Sequence, residues 1–301
     1  VKILIHHRHY PVSIGRYLKR GLRSLGHEVF SVGCVDPRGA EYIPWPGGLR
    51  FPRYVDAPDL VTPDVQAYPL AEVLRAIPFS PDAVIQAGDV CWLHGPSPVP
   101  NVIVMTDPHC VDYQPRLAHA DLQICMQDYY RSGYPGSHWV PYAYDEEWHY
   151  HLPKAPREYD VVMIGLMYEH RAALLERLRQ VGVRVCGGLG QIFHEGTQLY
   201  NRGLIALSWS SRMDLPARFF EGLAYGRLVI SNRLPDIEKL GFLEGVHYVD
   251  FQSLDEAVSK CTFYIEHPDF AEAIAARGRA AVQPHTWRAR AARIVSLLPR
   301  R

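Results

Sequence analysis

The sequence predicts an α/β fold in two halves, each a mostly parallel sheet wrapped by helices, and three observations carry that expectation. Short apolar runs of strand length alternate with segments of helical period along the whole chain. The runs are rich in Val, Ile and Leu and nearly continuous in hydrophobicity, the pattern of strands covered on both faces. The order strand, turn, helix, strand occurs twice, on either side of an aromatic, proline-containing stretch.

The amino-terminal half starts with the strand VKILIHH. Ser13 to Leu25 follows as a helix with Leu18, Leu22 and Leu25 on one side, and HEVFSVG is the next strand, completing a βαβ unit. Asp36 to Pro63 is dense in Pro and Gly and is expected to be irregular. A helix around Leu70 to Ala76 precedes the strands DAVIQAG, NVIVMTD and DLQICMQ. Ligands of open parallel sheets bind just beyond the carboxyl ends of strands, so Gly88, Asp89, Asp107 and His109 should border a cleft.

HWVPYAYDEEWHYHLPKAP is the expected linker; its crowded Tyr142, Tyr144, Trp148 and Tyr150 suit a sealed hinge. Beyond it YDVVMIG is a strand, Arg171 to Val181 a helix, and VRVCGG and GLIALSW are strands. The segment DLPARFFEGLAYGRLVISN is the most informative. Asp214 suits an N-cap and Pro216 the first turn, so a helix should start near Leu215. Phe219, Phe220, Leu223 and Ala224 form its apolar stripe, while Arg218 and Glu221 share another face. Gly226 ends the helix, and Leu228, Val229 and Ile230 read as a buried strand. A charged pair on the first turns of a helix leading into a core strand presents groups to a phosphate and a ribose, which places a nucleotide site in this half. The bland alternative is a surface ion pair of Arg218 with Glu221, worth little. The last segment is helical on both sides of a break at Pro284. These readings divide the chain into 1–145, 146–283 and a terminal helix in 284–301.

Composition narrows the function. At 301 residues, 48% hydrophobic and 21% charged, the chain is long enough for two cores and too apolar for disorder. Lys plus Arg and Asp plus Glu each total 32, so no global basic field draws it to nucleic acid or anionic membrane, though a local patch stays open. Six scattered cysteines without a C-x-x-C pair suit reduced thiols in a cytoplasm, with neither disulfides nor structural zinc. Val1 to Ile5 is too short for a signal-peptide core, and no run approaches the roughly 18 to 20 apolar residues that span a bilayer. Neighbouring strand residues point to opposite faces, so His6 and His7 do not share a metal, and no carboxylate stands near His6, His7 and His9 in sequence. No metal site is expected there.

Two halves of this kind resemble the GT-B fold of nucleotide-sugar glycosyltransferases, two Rossmann-like domains facing a central cleft with the last helix crossing back to the first. More narrowly, the chain resembles the spore-maturation-type branch of the group 1 glycosyltransferases over nearly its whole length. The residues that carry this are YDVVMIGLMYEHRAALLERL, GLIALSWSSRMDLPARFFEGLAYGRLVISN, GFLEGVHYVDFQSLDEAV and HTWRARAARI.

The resemblance implies a donor site in the carboxy-terminal half, with Glu221 on the ribose hydroxyls and Arg218 facing the diphosphate. Gly165, Tyr168, Arg171 and Asp214 complete the donor side. His109 matches the position from which such enzymes present a histidine to the transferring sugar, and Asp107 would orient it or activate the acceptor hydroxyl. His7, Ser13, Gly15 and Asp89 would lie on the acceptor side. Trp287 would be buried where the last helix crosses back. The spacing of Arg288, Arg290 and Arg293 allows a basic stripe, with a solvated helical face as the default. The chain departs from the family at two places: an Arg and a Lys five apart after the glycine turn are replaced by Tyr168 and Arg171, and of two glutamates eight apart around the ribose helix, Asp214 stands seven residues before Glu221.

The implied activity is sugar transfer from a nucleoside diphosphate, UDP first, to an acceptor hydroxyl, without metal or bound cofactor and with retention of configuration. Acceptor identity stays open among a glycan, a small metabolite, a protein side chain and a hydroxymethylated DNA base, and oligomeric state is open too. A nucleoside-diphosphate-sugar 2-epimerase and a non-catalytic sugar-nucleotide binding module share the layout. A dinucleotide oxidoreductase is disfavoured, since no G-x-G-x-x-G links a strand to a helix.

Overall fold

The apolar runs of the amino-terminal half pair into one all-parallel sheet. The computed structural model describes residues 1–44, 48–88 and 91–299, and the chain divides into two units, Val1–Pro141 with Trp287–Arg301, and Tyr142–Thr286. The first unit's sheet contains β1 (Lys2–His6), β2 (Glu28–Gly33), β3 (Leu60–Val61), β4 (Ala83–Ala87), β5 (Asn101–Met105), β6 (Leu122–Cys125) and β7 (His138–Trp139). Their spatial order is β7-β6-β5-β4-β1-β2-β3, the doubly wound order of dinucleotide-type sheets. Helices α1 (Ile14–Ser24), α2 (Leu70–Ala76) and α3 (Gln114–Leu117) belong to this unit. Ser13 caps α1 through its Oγ, which accepts from the Arg16 N–H at 3.2 Å. On one side of the sheet Leu4, Val32 and Val84 form a core with Leu70 and Val73 of α2.

The second unit is a five-stranded parallel sheet of β8 (Val161–Ile164), β9 (Val185–Gly188), β10 (Ile205–Ser208), β11 (Leu228–Asn232) and β12 (Val249–Phe251). Its order is β9-β8-β10-β11-β12, the flavodoxin-like variant of the same architecture. Helices α4 (Glu169–Gln180), α5 (Phe193–Asn201), α6 (Ala217–Ala224), α7 (Pro235–Lys239), α8 (Leu254–Glu266) and α9 (Pro268–Val282) surround it. Leu174, Leu178, Val161, Ile205, Leu228, Ile230 and Ala271 share its core. The final helix α10 (Trp287–Ser296) returns to the first unit. There Trp287, 2% exposed, stacks on Tyr17 of α1 with ring centroids 5.3 Å apart.

Five features differ from the sequence reading. Residues 36–63 are not wholly irregular: 42–43 and 49–50 form an antiparallel pair, Pro52–Tyr54 is a 3-10 turn, and β3 extends the sheet edge beside β2. Helix α5 stands between β9 and β10, where periodicity had shown only two strands. Helix α6 starts at Ala217 with Pro216 at its cap. Asp214 is not the N-cap, because Met213 takes φ of 60° and turns the chain so that the Asp214 carboxylate accepts from the Ser210 hydroxyl at 2.5 Å. Arg290 leaves the solvated face of α10, donating its Nε–H to the Pro141 carbonyl at 3.0 Å. All six cysteines are free thiols. Among the described residues no helix is long and apolar enough to cross a membrane.

Candidate functional site

A doubly wound sheet opens a crevice at the carboxyl ends of the two neighbouring strands whose connections leave in opposite directions. In the second unit those strands are β8 and β10, which pair in parallel. Three elements bring side chains to this point: the turn after β8, the start of α4, and the start of α6.

Two arginines are fixed there by main-chain carbonyls. The Arg218 Nε–H donates to the carbonyl of Ile164, the last residue of β8, at 2.8 Å. Arg171, only 6% exposed, donates from Nε to the Trp209 carbonyl just past β10 at 2.7 Å, and from Nη1 to the Leu166 carbonyl at 2.8 Å. Gly165 makes the approach feasible. Its φ of 138° is open to glycine, and a Cβ there would stand 2.1 Å from Arg218 Nη2. The Arg171 guanidinium lies 4.8 Å from the centre of the Tyr168 ring.

The electrostatics of this corner favour an anion. Burial, and then the Arg218 charge, push the Arg171 pKa down to about 10, so the two cations are held together against their repulsion. Arg218 Nη1 is inaccessible and has no hydrogen-bond partner. Neither α4 nor α6 has a side chain capping its first N–H groups, so both helices offer free donors and the positive end of their dipoles. Burial and the Arg171 charge also lower the pKa of His170, whose ring meets Trp209 edge-on at 4.9 Å and stacks with Tyr168.

Glu221, one turn beyond Arg218, faces a histidine that sequence reasoning missed. The Asp145 N–H donates to His149 Nδ1 at 3.0 Å, so the imidazole proton sits on Nε2, 3.6 Å from Glu221 Oε1. Tyr200 was missed as well: its buried hydroxyl accepts from the Ile164 N–H at 3.0 Å and bonds Arg218. Neither residue stands in a periodic pattern with the groups it touches. The one local sign of His149 is its place four residues after Asp145 in the aromatic stretch. The structure thus brings Gly165, Tyr168, Arg171 and Arg218 together, seats Glu221 one turn along the same helix, and turns Asp214 to Ser210.

In the first unit the corresponding strands are β1 and β4. His7, directly after β1, contacts Ser13 Oγ through Nδ1 at 3.1 Å, and Gly15 lies against its ring, where a Cβ would come within 2.1 Å of Cγ. The three predicted residues His7, Ser13 and Gly15 therefore form one group. Asp89 lies outside the described residues. One strand further along, the Asp107 carbonyl accepts from the N–H groups of Cys110 and Val111, both at 3.0 Å, closing a turn at the carboxyl end of β5. His109 sits on that turn with its ring 5.5 Å from that of Tyr130 and its buried Nδ1 without a hydrogen bond.

Comparison with known proteins agrees with this anatomy. Residues 166–296 match the family model described as glycosyl transferase-like. No curated protein matches the chain. Among solved structures, Anabaena Alr3699/HepE in complex with UDP-glucose superposes with a TM-score of 0.68 at 12% identity, covering 99% of this chain and 100% of that one. Sucrose-phosphate synthase from Thermosynechococcus elongatus gives 0.64 at 13% identity, with 98% of each chain covered. An alpha-glucosyltransferase in complex with UDP-glucose and DNA containing an abasic site gives 0.59 at 8% identity over 95% of each. Such identities establish shared architecture. The chain has the GT-B fold, and most of its second unit together with α10 carries the match to the glycosyl transferase-like model.

Proposed function

We propose that this chain, a glycosyltransferase of GT-B fold, moves a sugar from a UDP-sugar to an acceptor hydroxyl. The observation that carries the reading is the pair Arg171 and Arg218, anchored on carbonyls at the β8–β10 switch point with Gly165 leaving room beside them. A diphosphate needs fixed donors and positive charge, and the two guanidiniums with the first N–H groups of α4 and α6 supply both. In this reading Glu221 accepts the ribose hydroxyls, with His149 holding its carboxylate. Uridine is the base of the donors named for the structural neighbours HepE and alpha-glucosyltransferase.

The chemistry follows from the same groups. As the bond to the anomeric carbon breaks, negative charge grows on the departing diphosphate, and donors already aimed at it need no reorganisation. The cationic pair takes the place a divalent ion fills in other transferases, so transfer is metal-independent. His109 addresses the transferring sugar, Asp107 serves the acceptor oxygen, and His7, Ser13 and Gly15 shape the acceptor side. Retention of configuration is the stereochemical outcome assigned to this arrangement. The test is calorimetric binding of UDP to the purified chain, followed by turnover of UDP-glucose with and without chelator. Failure of UDP to bind at millimolar concentration rejects the assignment.

A further inference from the structure

In the loop after β1, His7 of the acceptor side meets His9 and Asp56, which the proposed transfer does not use. Beyond the sheet, His7 and His9 continue alongside β2, their N–H groups bonded to the carbonyls of Val32 at 3.2 Å and Cys34 at 2.9 Å. In such extended backbone, residues two apart point to the same side, and the two imidazole rings lie 3.8 Å apart. Asp56 reaches them from the far end of the proline-rich segment, 47 residues after His9. His7, His9, Asp56 and Lys19 are all buried. Sequence separation hid this carboxylate, and the pairing that matters is His7 with His9 rather than His6 with His7.

The protons of the cluster can be assigned. His7 Nδ1 lies 3.0 Å from the Arg8 carbonyl, which only accepts, so Nδ1 carries the hydrogen and Nε2 a lone pair. That lone pair lies 3.8 Å from Asp56 Oδ2, itself an acceptor. His9 Nδ1 lies 3.1 Å from the Asp56 carbonyl, so it too is the protonated nitrogen and His9 Nε2 is left bare. His7 Nε2 and His9 Nε2 are buried without a hydrogen-bond partner, while Asp56 Oδ2, equally buried, lies 3.0 Å from His9 Nδ1 and 3.8 Å from His7 Nε2. Two buried imidazole lone pairs without a donor, beside a buried carboxylate, cost roughly 1–3 kcal/mol each unless something positive joins them.

We propose that His7, His9 and Asp56 bind one divalent transition-metal ion, zinc by the chemistry of the donors. One nitrogen from each imidazole and one carboxylate oxygen already lie within 4.8 Å of one another. Two imidazoles and a carboxylate form a borderline donor set that suits zinc and leaves a coordination position open. The surroundings are those of oriented ligands. The Arg8 carbonyl and Ser13 hydroxyl hold His7 Nδ1, and the Lys19 ammonium takes the other Asp56 oxygen at 2.6 Å. The ion would tie the proline-rich segment to the end of β1 and so fix one border of the first unit's switch point; no step of the proposed transfer runs through it.

The test starts with chelator-treated, folded full-length protein titrated with Co2+ and followed by visible absorption, with Zn2+ as competitor and metal content measured after gel filtration. The expected result is about one equivalent of metal per chain, with tetrahedral-type cobalt bands displaced by zinc. An upward shift of several degrees in apparent Tm should accompany it when free zinc is about 100 times Kd. His9→Gln and Asp56→Asn should each lower metal affinity at least 10-fold. His7→Gln/His9→Gln should abolish the bands while retaining a cooperative melt and UDP binding. Folded wild-type protein that retains no metal overturns the proposal, and so does a folded double variant that binds cobalt as the wild type does. UDP binding is scored separately, so its presence or absence leaves this result distinct from the donor-site assignment.

Discussion

Replacing Arg218 with Met tests the donor site most directly. The substitution keeps an unbranched apolar stem and removes the guanidinium that bonds the Ile164 carbonyl at 2.8 Å. A charge-assisted hydrogen bond to a phosphate contributes roughly 1.5–3 kcal/mol. Losing one such contact raises the Kd for UDP by about 10- to 150-fold. The ligand-free protein should suffer much less. The lost Nε–carbonyl bond costs about 1 kcal/mol, or roughly 2–4 °C in Tm for a domain of this size, and relief of the repulsion on Arg171 offsets part of it. Calorimetry with UDP and uridine separates specific from general damage, because only the diphosphate meets the guanidinium. UDP affinity within twofold of wild type, or an equal loss for uridine, refutes the assignment.

Other expectations follow from the same geometry. Gly165→Ala places a Cβ on Arg218 Nη2 and strains a φ of 138°, so it should lower stability by roughly 1–3 kcal/mol in chemical denaturation and weaken UDP binding as Arg218→Met does. Glu221→Gln should weaken uridine and UDP alike by about 10-fold or more in calorimetry while leaving inorganic diphosphate unchanged, since the carboxylate is read as the ribose acceptor. His109→Ala should spare UDP affinity and slow turnover by about 10²–10⁴, measured as UDP release with the acceptor in place. Burial alone would raise the Asp160 carboxyl, yet the bonds from Arg184 at 2.7 and 3.1 Å hold it below its ordinary value. A depressed carboxylate stabilises the fold above its unfolded pKa of about 3.9 and loses that contribution as pH falls, so the stability gap between wild type and Asp160→Asn should narrow from pH 6 to pH 2.5 in urea melts.

What the sequence disclosed was whatever has a local signature. VKILIH, AVIQA and LVIS read as strands because nothing but a covered sheet explains such apolar runs, and the Leu70 helix came out with the bounds it has in the fold. The helix read from Ser13 to Leu25 was legible from its leucine spacing, and the fold places it at Ile14–Ser24 with Ser13 as its cap. Contacts made across the sheet left no such trace. Asp214 looked like a cap until the positive φ of Met213 turned it toward Ser210. Glu221 gave no sign of His149, and His9 none of Asp56, because those pairs are set by strand order and loop path rather than by spacing.

The altered basic motif of the donor side has a physical answer in how its arginines are held. A lysine reaching a diphosphate is a flexible point charge, and its side chain loses freedom when it binds. Arg171 and Arg218 have already lost that freedom, since the carbonyls of Trp209 and Ile164 accept from their Nε–H groups and that of Leu166 from Nη1 of Arg171. Each guanidinium carries five N–H groups, so one anchored at Arg218 and two at Arg171 still leave outer donors for a ligand. The entropy of ordering is thus spent in folding rather than in binding. Burial and then the Arg218 charge lower the Arg171 pKa, and a bound dianion would offset the second by giving both cations a shared partner. On this argument a lysine at either position restores charge without restoring the anchor. Arg171→Lys should therefore recover less than half of the binding free energy that Arg171→Met loses.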